Sequence, residues 1–515
     1  MLQKYKLRII FLSILLLNFI LHIIAALCRR MGVGNDEAIY LLSGKNFLSG
    51  NGYTFPLGEP QLHHPPLFPI ITGIIDFFTG NLEVSSLVSY IISGTFLIIP
   101  VYLLAREIYG EKVACISSLL LCVLPAVSVK IPFWGSMAEP PTMFFLYWGL
   151  YFAFVALKCN TLRDYSLSAV FFALASLTRP DGFVYFLTVG LFLFFYQIFR
   201  KFPLNKAIPL LGCYVIVFIL INLPYSLFIH KHTGTWNISP KTTTAIIRYG
   251  PEFLYLPPGG FFDDPQIHSQ KTSVLTFILE SPTRIIIRIL KNIRYLWFVH
   301  IPNVFPFYLF LFAGVWLSNI RWKRDLILKE LFLVIAIIPV LGYTLSWVDD
   351  RFCVFILPIL LIITANGAYH IFQNITPLKK GLLIIITLML LFQCCDYLLD
   401  RCRYETQQGN KCKQVGKWIT NNLPRTSIIM SITPRYAFYA NTSRWCRIPF
   451  EEYSKIIDFA KSKAVTILIL DKDTIRYRPQ LRFIFENDTI IEPDLLPLNT
   501  QIIQGEKISI FKIIY

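Results

Sequence analysis

Acidic residues are scarce in this chain, and those with chemical potential fall in three short stretches. Asn35-Asp36-Glu37 opens a helical stretch that runs through Ala38, Tyr40 and Leu41. Glu139 stands directly before Pro140-Pro141, and Arg179 and Asp181 flank Pro180. A carboxylate fixed at a helix start suits a general base. The same placement also serves the helix itself, because Asn35 or Asp36 can accept a backbone N–H and the acids complement the dipole. Glu139 has the same two readings, with proline in the first helical turn. Arg179 and Asp181 read most simply as a pair that anchors a turn.

Basic and imidazole groups complete the set. His63-His64 precede Pro65-Pro66, which exclude regular helix there. They suit a metal, a phosphate or a hydrogen-bonded turn. Lys241 and Arg248 lie in a long loop rich in aromatic residues. Arg351 follows Trp347-Val348-Asp349-Asp350 and suits either snorkelling or a phosphate clamp. Arg284, Arg288, Lys291 and Arg294 recur at spacings of four, three and three, which predicts one basic helix face over anionic headgroups.

These residues are carried by an unusually apolar chain. Of 515 residues, 55% are hydrophobic, 15% are charged and 44 are Phe, and the mean hydropathy is +0.56. That excludes a disordered chain, a collagen-like chain and a single soluble enzyme domain. Apolar runs predict about eleven transmembrane helices, at 7–28, 84–104, 112–129, 140–157, 165–178, 182–199, 207–229, 303–320, 330–347, 352–371 and 381–399. The first follows Lys4, Lys6 and Arg8 and is expected to be retained. It is longer than a signal-peptide core and no small-x-small site follows it. A lipoprotein reading of Ala25-Ala26-Leu27-Cys28 fails at the bulky Leu27.

With an inside N-terminus, the short cytoplasmic loops carry Arg106/Lys112, Lys158/Arg163, Arg200/Lys201/Lys206, Arg321/Lys323/Arg324/Lys329 and Lys379/Lys380. This satisfies the positive-inside rule. Much of the net charge of +17 is therefore orientation and requires no nucleic-acid partner. Two outer loops, 29–83 and 230–302, are long, and every acidic stretch above lies outside. The segment Ile70–Phe78 is too short to span and is expected at the interface. Residues 1–399 thus form the membrane domain with interfacial helices in its outer loops.

Residues 400–515 are expected to form a small extracytoplasmic α/β domain. Its elements are a helix at 415–421, a strand at 426–431, a helix at 453–463 and strands at 465–470 and 508–514. Of eleven cysteines, Cys402, Cys412 and Cys446 fall in this part, and one disulfide among them is conceivable. No Cys/His metal spacing occurs.

The order of these motifs resembles the GT-C membrane glycosyltransferases, closest to the branch of protein O-mannosyltransferases and lipid A aminoarabinose transferases. The resemblance rests on Asp36-Glu37 with Ala38 and Tyr40, on His64-Pro65-Pro66-Leu67-Phe68-Pro69 and on Glu139-Pro140. It also rests on Leu177-Thr178-Arg179-Pro180-Asp181-Gly182, Leu223-Pro224-Tyr225 and Arg351-Phe352 before Leu357-Pro358. It implies a GT-C-like fold and transfer from a polyprenyl-phosphate-linked sugar at the outer face of the cytoplasmic membrane. It maps the catalytic base onto Asp36, the neighbouring acid onto Glu37 and the second outer acid, often Asp in relatives, onto Glu139.

The chemistry follows from the substrate class. A lipid-linked donor keeps its phosphate at headgroup depth, so the leaving phosphate needs cations there. Arg351 is the first candidate, followed by Lys241, Arg248 and His64. Asp36, Glu139, His63 and His64 are possible ligands of a divalent ion, though no spacing compels one. The acceptor hydroxyl belongs to lipopolysaccharide, another glycolipid, a cell-wall polymer or a protein. The alternative class is a transporter or flippase of a lipid-linked sugar. That class tends to show internal repeats and mid-bilayer ionisable groups, and neither is visible here.

Overall fold

Long apolar runs dominate the chain. The first, Leu2–Cys28, is one 27-residue helix, about 40 Å long at 1.5 Å per residue. In the computed structural model, residues 2–29, 32–135, 137–237, 239–248, 274–318, 324–372, 377–408, 411–442, 444–487 and 492–515 are described. Among the described residues, seven helices are long and apolar enough to cross a membrane: Tyr5–Cys28, Leu82–Tyr109, Glu139–Cys159, Asp181–Phe199, Leu204–Thr233, Asp350–Ile371 and Gly381–Arg403. An eighth candidate is a pair, Pro282–Val304 and Phe307–Ser318, bent by 110° beside Pro306. The chain is a multi-pass membrane protein.

These helices coincide with seven of the eleven expected spans, and the bent pair takes up the 303–320 region. The expected 112–129 span is a 13-residue helix, Glu111–Val123, followed by a turn that starts at Pro125. The expected 165–178 span is a 17-residue helix, Leu162–Thr178. At 330–347 the helix Arg324–Ile335 gives way to a 3-10 stretch, Ile338–Leu345, with Pro339 near its start. Most of Glu111–Val123 is buried in protein, so its apolar character reflects packing.

The outer loop after the first helix folds as two short helices, Asn35–Asn46 and Leu67–Thr79. They cross closely at Gly44. A Cβ there would lie 2.2 Å from the Pro69 carbonyl oxygen, so only glycine permits the contact.

The C-terminal part contains a five-stranded sheet: β1 (Ile429–Ser431), β2 (Trp445–Arg447), β3 (Ile467–Asp471), β4 (Leu495–Ile503) and β5 (Glu506–Ile513). The spatial order is β2-β1-β3-β5-β4. β1 pairs in parallel with β2 and β3, and β5 runs antiparallel to β3 and β4. β3 is buried on both sides. Ile467 and Ile469 join the cluster around Val415, Ile419 and Tyr436. Leu468 and Leu470 join the one around Ile456 and Ile457. This is strand alternation with a helix on each face.

Neither Cys412 nor Cys446 is in a disulfide. Cys412 and Cys446 lie in different core clusters, which explains why they do not bridge.

The sheet is tied to the first outer loop. Thr433 Oγ1 donates to Asn35 Oδ1 at 2.6 Å. The Val33 N–H reaches the Tyr439 hydroxyl at 2.8 Å, and Lys45 Nζ donates to Asn441 Oδ1 at 3.0 Å. The Asn35–Asn46 helix is therefore held at both ends by residues from the far end of the chain.

Candidate active site

Asp36 lies in the first turn of Asn35–Asn46. The residue preceding this helix is Gly34, with extended backbone and no side chain to cap with. Glu37 reaches back instead, and its Oε2 accepts the Gly34 N–H at 3.0 Å. The expected capping by Asn35 or Asp36 is thus replaced. Asn35 is engaged by Thr433, and Asp36 is left to face a cavity.

The two adjacent acids have different surroundings. Glu37 is fully buried. It accepts from Arg29 Nη1 at 2.9 Å and Ser86 Oγ at 2.6 Å, and Arg29 Nη2 pairs with its second oxygen. Glu37 therefore belongs to the frame that fixes the helix. The Asp36 side chain is 40% exposed and opens on a cavity of about 500 Å³. Its lining combines polar and charged residues, Asp36, Tyr40, His63, Arg179, Lys241 and Arg351, with apolar ones that include Val184, Pro339, Val340, Leu345 and Phe355.

Cations surround the carboxylate. Arg351 Nη1 lies 3.7 Å from Asp36 Oδ2. Burial alone would raise the Asp36 pKa, but Lys241, Arg351, His63 and Arg179 outweigh it and hold the carboxyl below its ordinary value. Asp36 is thus an ionised acceptor in a positive setting.

Arg351 is placed by its neighbours. Asp349 caps the turn by accepting the Arg351 N–H at 3.1 Å. The guanidinium lies over the rings of Trp347 and Phe352, at 5.8 and 5.1 Å from their centres. Its Nε has no hydrogen-bond partner among the described residues. Asp350 turns away and accepts from His300 and Asn303.

Lys241 enters from the Pro240–Arg248 helix of the long loop. Burial lowers its ammonium pKa to about 8, Asp36 opposing the shift while Arg179 and Arg351 add to it. Its Nζ lies 3.4 Å from His64 Nδ1. His64 is 3% exposed, and burial followed by Lys241 keeps its pKa well below the usual imidazole value. His64 is therefore a neutral acceptor for Lys241 rather than the phosphate-binding cation expected from sequence. His63 lines the cavity itself. The side chain of Arg248, the other expected phosphate ligand, lies outside the described residues.

Glu139 stands one layer behind. It is fully buried, accepts from Arg179 Nη1 at 2.9 Å, and its Oε2 has no partner among the described residues. Arg179 Nε donates to Asp181 Oδ2 at 2.8 Å, so the expected pair forms, and Glu139 extends it. The Tyr343 hydroxyl donates to the other oxygen of Asp181. Tyr185, Tyr343 and Trp347 line the cavity, and nothing in their local sequence singled out the two tyrosines.

Asp36 is surrounded by cations, Glu139 is engaged by Arg179 and His64 by Lys241. Among the described residues no group of three or more His, Cys, Asp or Glu could hold a metal.

Comparison with known proteins follows this geometry. Residues 63–225 match the family model described as dolichyl-phosphate-mannose-protein mannosyltransferase. An uncharacterized protein of Aquifex aeolicus is 30% identical over 168 residues, which is 32% of this chain and 33% of that protein. ArnT from Cupriavidus metallidurans, solved with undecaprenyl phosphate bound, superposes over 98% of this chain and 97% of its own, with a TM-score of 0.59 at 13% identity. The fold is that of the GT-C glycosyltransferases. A second GT-C structure, the apo oligosaccharyltransferase of Archaeoglobus fulgidus, gives a TM-score of 0.62 at 15% identity, over 92% of this chain and 72% of that one. The resemblance read from the motifs holds at the level of the GT-C fold. The charged lining of the cavity comes from the stretches at Asp36, Arg179 and Arg351, together with His63 and Lys241.

Proposed function

We propose that this chain is an inverting glycosyltransferase. It moves a sugar from a polyprenyl-phosphate-linked donor to an acceptor hydroxyl at the outer face of the cytoplasmic membrane. The observation that carries the reading is Asp36, an ionised carboxylate beside Arg351 and Lys241, in a cavity that is also lined by apolar side chains. The undecaprenyl phosphate bound to ArnT, a protein of the same fold, supports the same donor class.

In this reading Asp36 takes the proton from the acceptor hydroxyl. The oxygen attacks the anomeric carbon opposite the phosphate and inverts it. The bond between that carbon and the phosphate oxygen breaks, and its electron pair leaves with the polyprenyl phosphate. The leaving group is already a stable anion, so it needs positive charge rather than an acid. Arg351 and Lys241 supply that charge, and the apolar lining takes the first isoprene units. Arg179, locked between Glu139 and Asp181, adds field without moving. Glu37 and Glu139 act by holding Arg29 and Arg179. The residues from 400 onward form the outer α/β domain that holds the Asp36 helix. The acceptor is a glycolipid such as lipopolysaccharide, a polymer or a protein.

Transfer from a panel of radiolabelled polyprenyl phosphosugars in reconstituted vesicles tests this. Asp36→Asn should insert normally and lose about 10²- to 10⁴-fold in rate. Wild-type transfer by that variant would refute the base assignment. Movement of the lipid across the bilayer without covalent transfer would favour a flippase.

A further inference from the structure

The Pro282–Tyr295 helix departs from its sequence pattern. Arg284, Lys291 and Arg294 are exposed as the basic-face reading predicts, but Arg288 is only 1% exposed. Its Nη1 donates to the Ile246 carbonyl at 2.6 Å and to the Leu345 carbonyl at 3.0 Å. Its guanidinium lies 5.5 Å from the Phe277 ring centre. One turn later, Asn292 Nδ2 donates to the carbonyls of Thr344 and Ser346, at 2.9 and 3.0 Å.

The physical cause is the end of the 3-10 stretch Ile338–Leu345. Its last carbonyls have no partner within the helix, and a cationic donor suits that negative end. The two elements joined by Arg288 both form cavity wall. Ile246 and Lys241 share the Pro240–Arg248 helix, and Leu345 lies between Tyr343 and Trp347.

We propose that Arg288 is a positioning residue for Lys241, fastening the helix that carries this ammonium to the end of the Ile338–Leu345 stretch, which also lines the cavity. It touches no substrate and acts through backbone carbonyls. Lys241 then meets the donor phosphate from a fixed direction and away from water. The effect on donor affinity rests on the glycosyltransferase reading; the effect on Lys241 itself does not.

The test uses the full chain in nanodiscs, with Arg288→Gln and Arg288→Lys. Acetylation of Lys241 by acetic anhydride across pH, followed by peptide mass spectrometry, reports its titration directly. The wild-type midpoint is expected at about 8. In Arg288→Gln it should move toward 10.5, the value of a free lysine, and less far in Arg288→Lys, which keeps one donor arm. KM for the polyprenyl phosphosugar should rise on the order of 10- to 100-fold, with kcat changed less. A monodisperse Arg288→Gln protein with unchanged Lys241 midpoint and KM overturns the proposal; if Gln does not fold, the same result in Arg288→Lys does. If no form transfers sugar, the glycosyltransferase reading fails, and the acetylation midpoint alone decides the role of Arg288.

Discussion

On the proposed function, Lys241 sets a pH limit on donor binding that can be calculated. Burial brings its pKa to about 8, while Asp36 is held below the ordinary carboxylate range and a phosphodiester donor does not titrate near neutrality. If one proton on Lys241 is required, KM for the donor scales with one plus the ratio of neutral to charged lysine. That is roughly 1.1-fold at pH 7, 2-fold at pH 8 and 11-fold at pH 9. The sign follows because the charge is present below the pKa and lost above it. The rise is limited by the worth of the charge, about 4 kcal/mol for a pair near 4 Å at an effective dielectric of 20. The corresponding plateau of about 10³-fold lies beyond the accessible pH range. Initial rates at varied donor concentration from pH 6.5 to 9.5 measure this, with Lys241→Arg as the comparison. The arginine variant should show a flat KM over the upper range. A flat wild-type profile, or the same rise in Lys241→Arg, refutes the reasoning.

Glu139→Gln should lower unfolding stability by about 1–3 kcal/mol, because it weakens the charged hydrogen bond that satisfies Arg179 in a buried site. An inactive variant with wild-type thermal stability would instead place Glu139 against substrate. Incubation with EDTA followed by gel filtration should leave transfer unchanged, since cations already surround Asp36; loss of activity restored by a divalent ion would contradict that.

The position of Asp36 at a helix start was legible, with capping and a general base as its two readings, and the structure adds that it lines the cavity. Its difference from Glu37 was not legible. Neighbouring residues point about 100° apart on a helix, and only the packing of Arg29 and Ser86 decides which acid faces the cavity. Arg179 and Asp181 are two residues apart, so their pairing could be read locally. Tyr343 reaches Asp181 from 162 residues away, which no local pattern records. Hydropathy found the long spans but could not separate lipid-facing runs from protein-buried ones such as Glu111–Val123. In the sheet, β3 was evident from its continuous apolar run. β4 escaped notice because much of it is exposed and its register shifts between Pro497 and Asn499.

The bonds from Thr433, Tyr439 and Asn441 to the Asp36 helix span 398, 406 and 396 residues of sequence. At about 5–20 residues per second, a ribosome needs on the order of 20–80 s to make that stretch. The Asp36 helix therefore stands without these outer brackets until residues 433–441 have been made. A chain stopped before Thr433 inserts its spans but lacks all three bonds. Synthesis order thus works as an interlock, with a segment made about 400 residues later completing the support of the Asp36 helix.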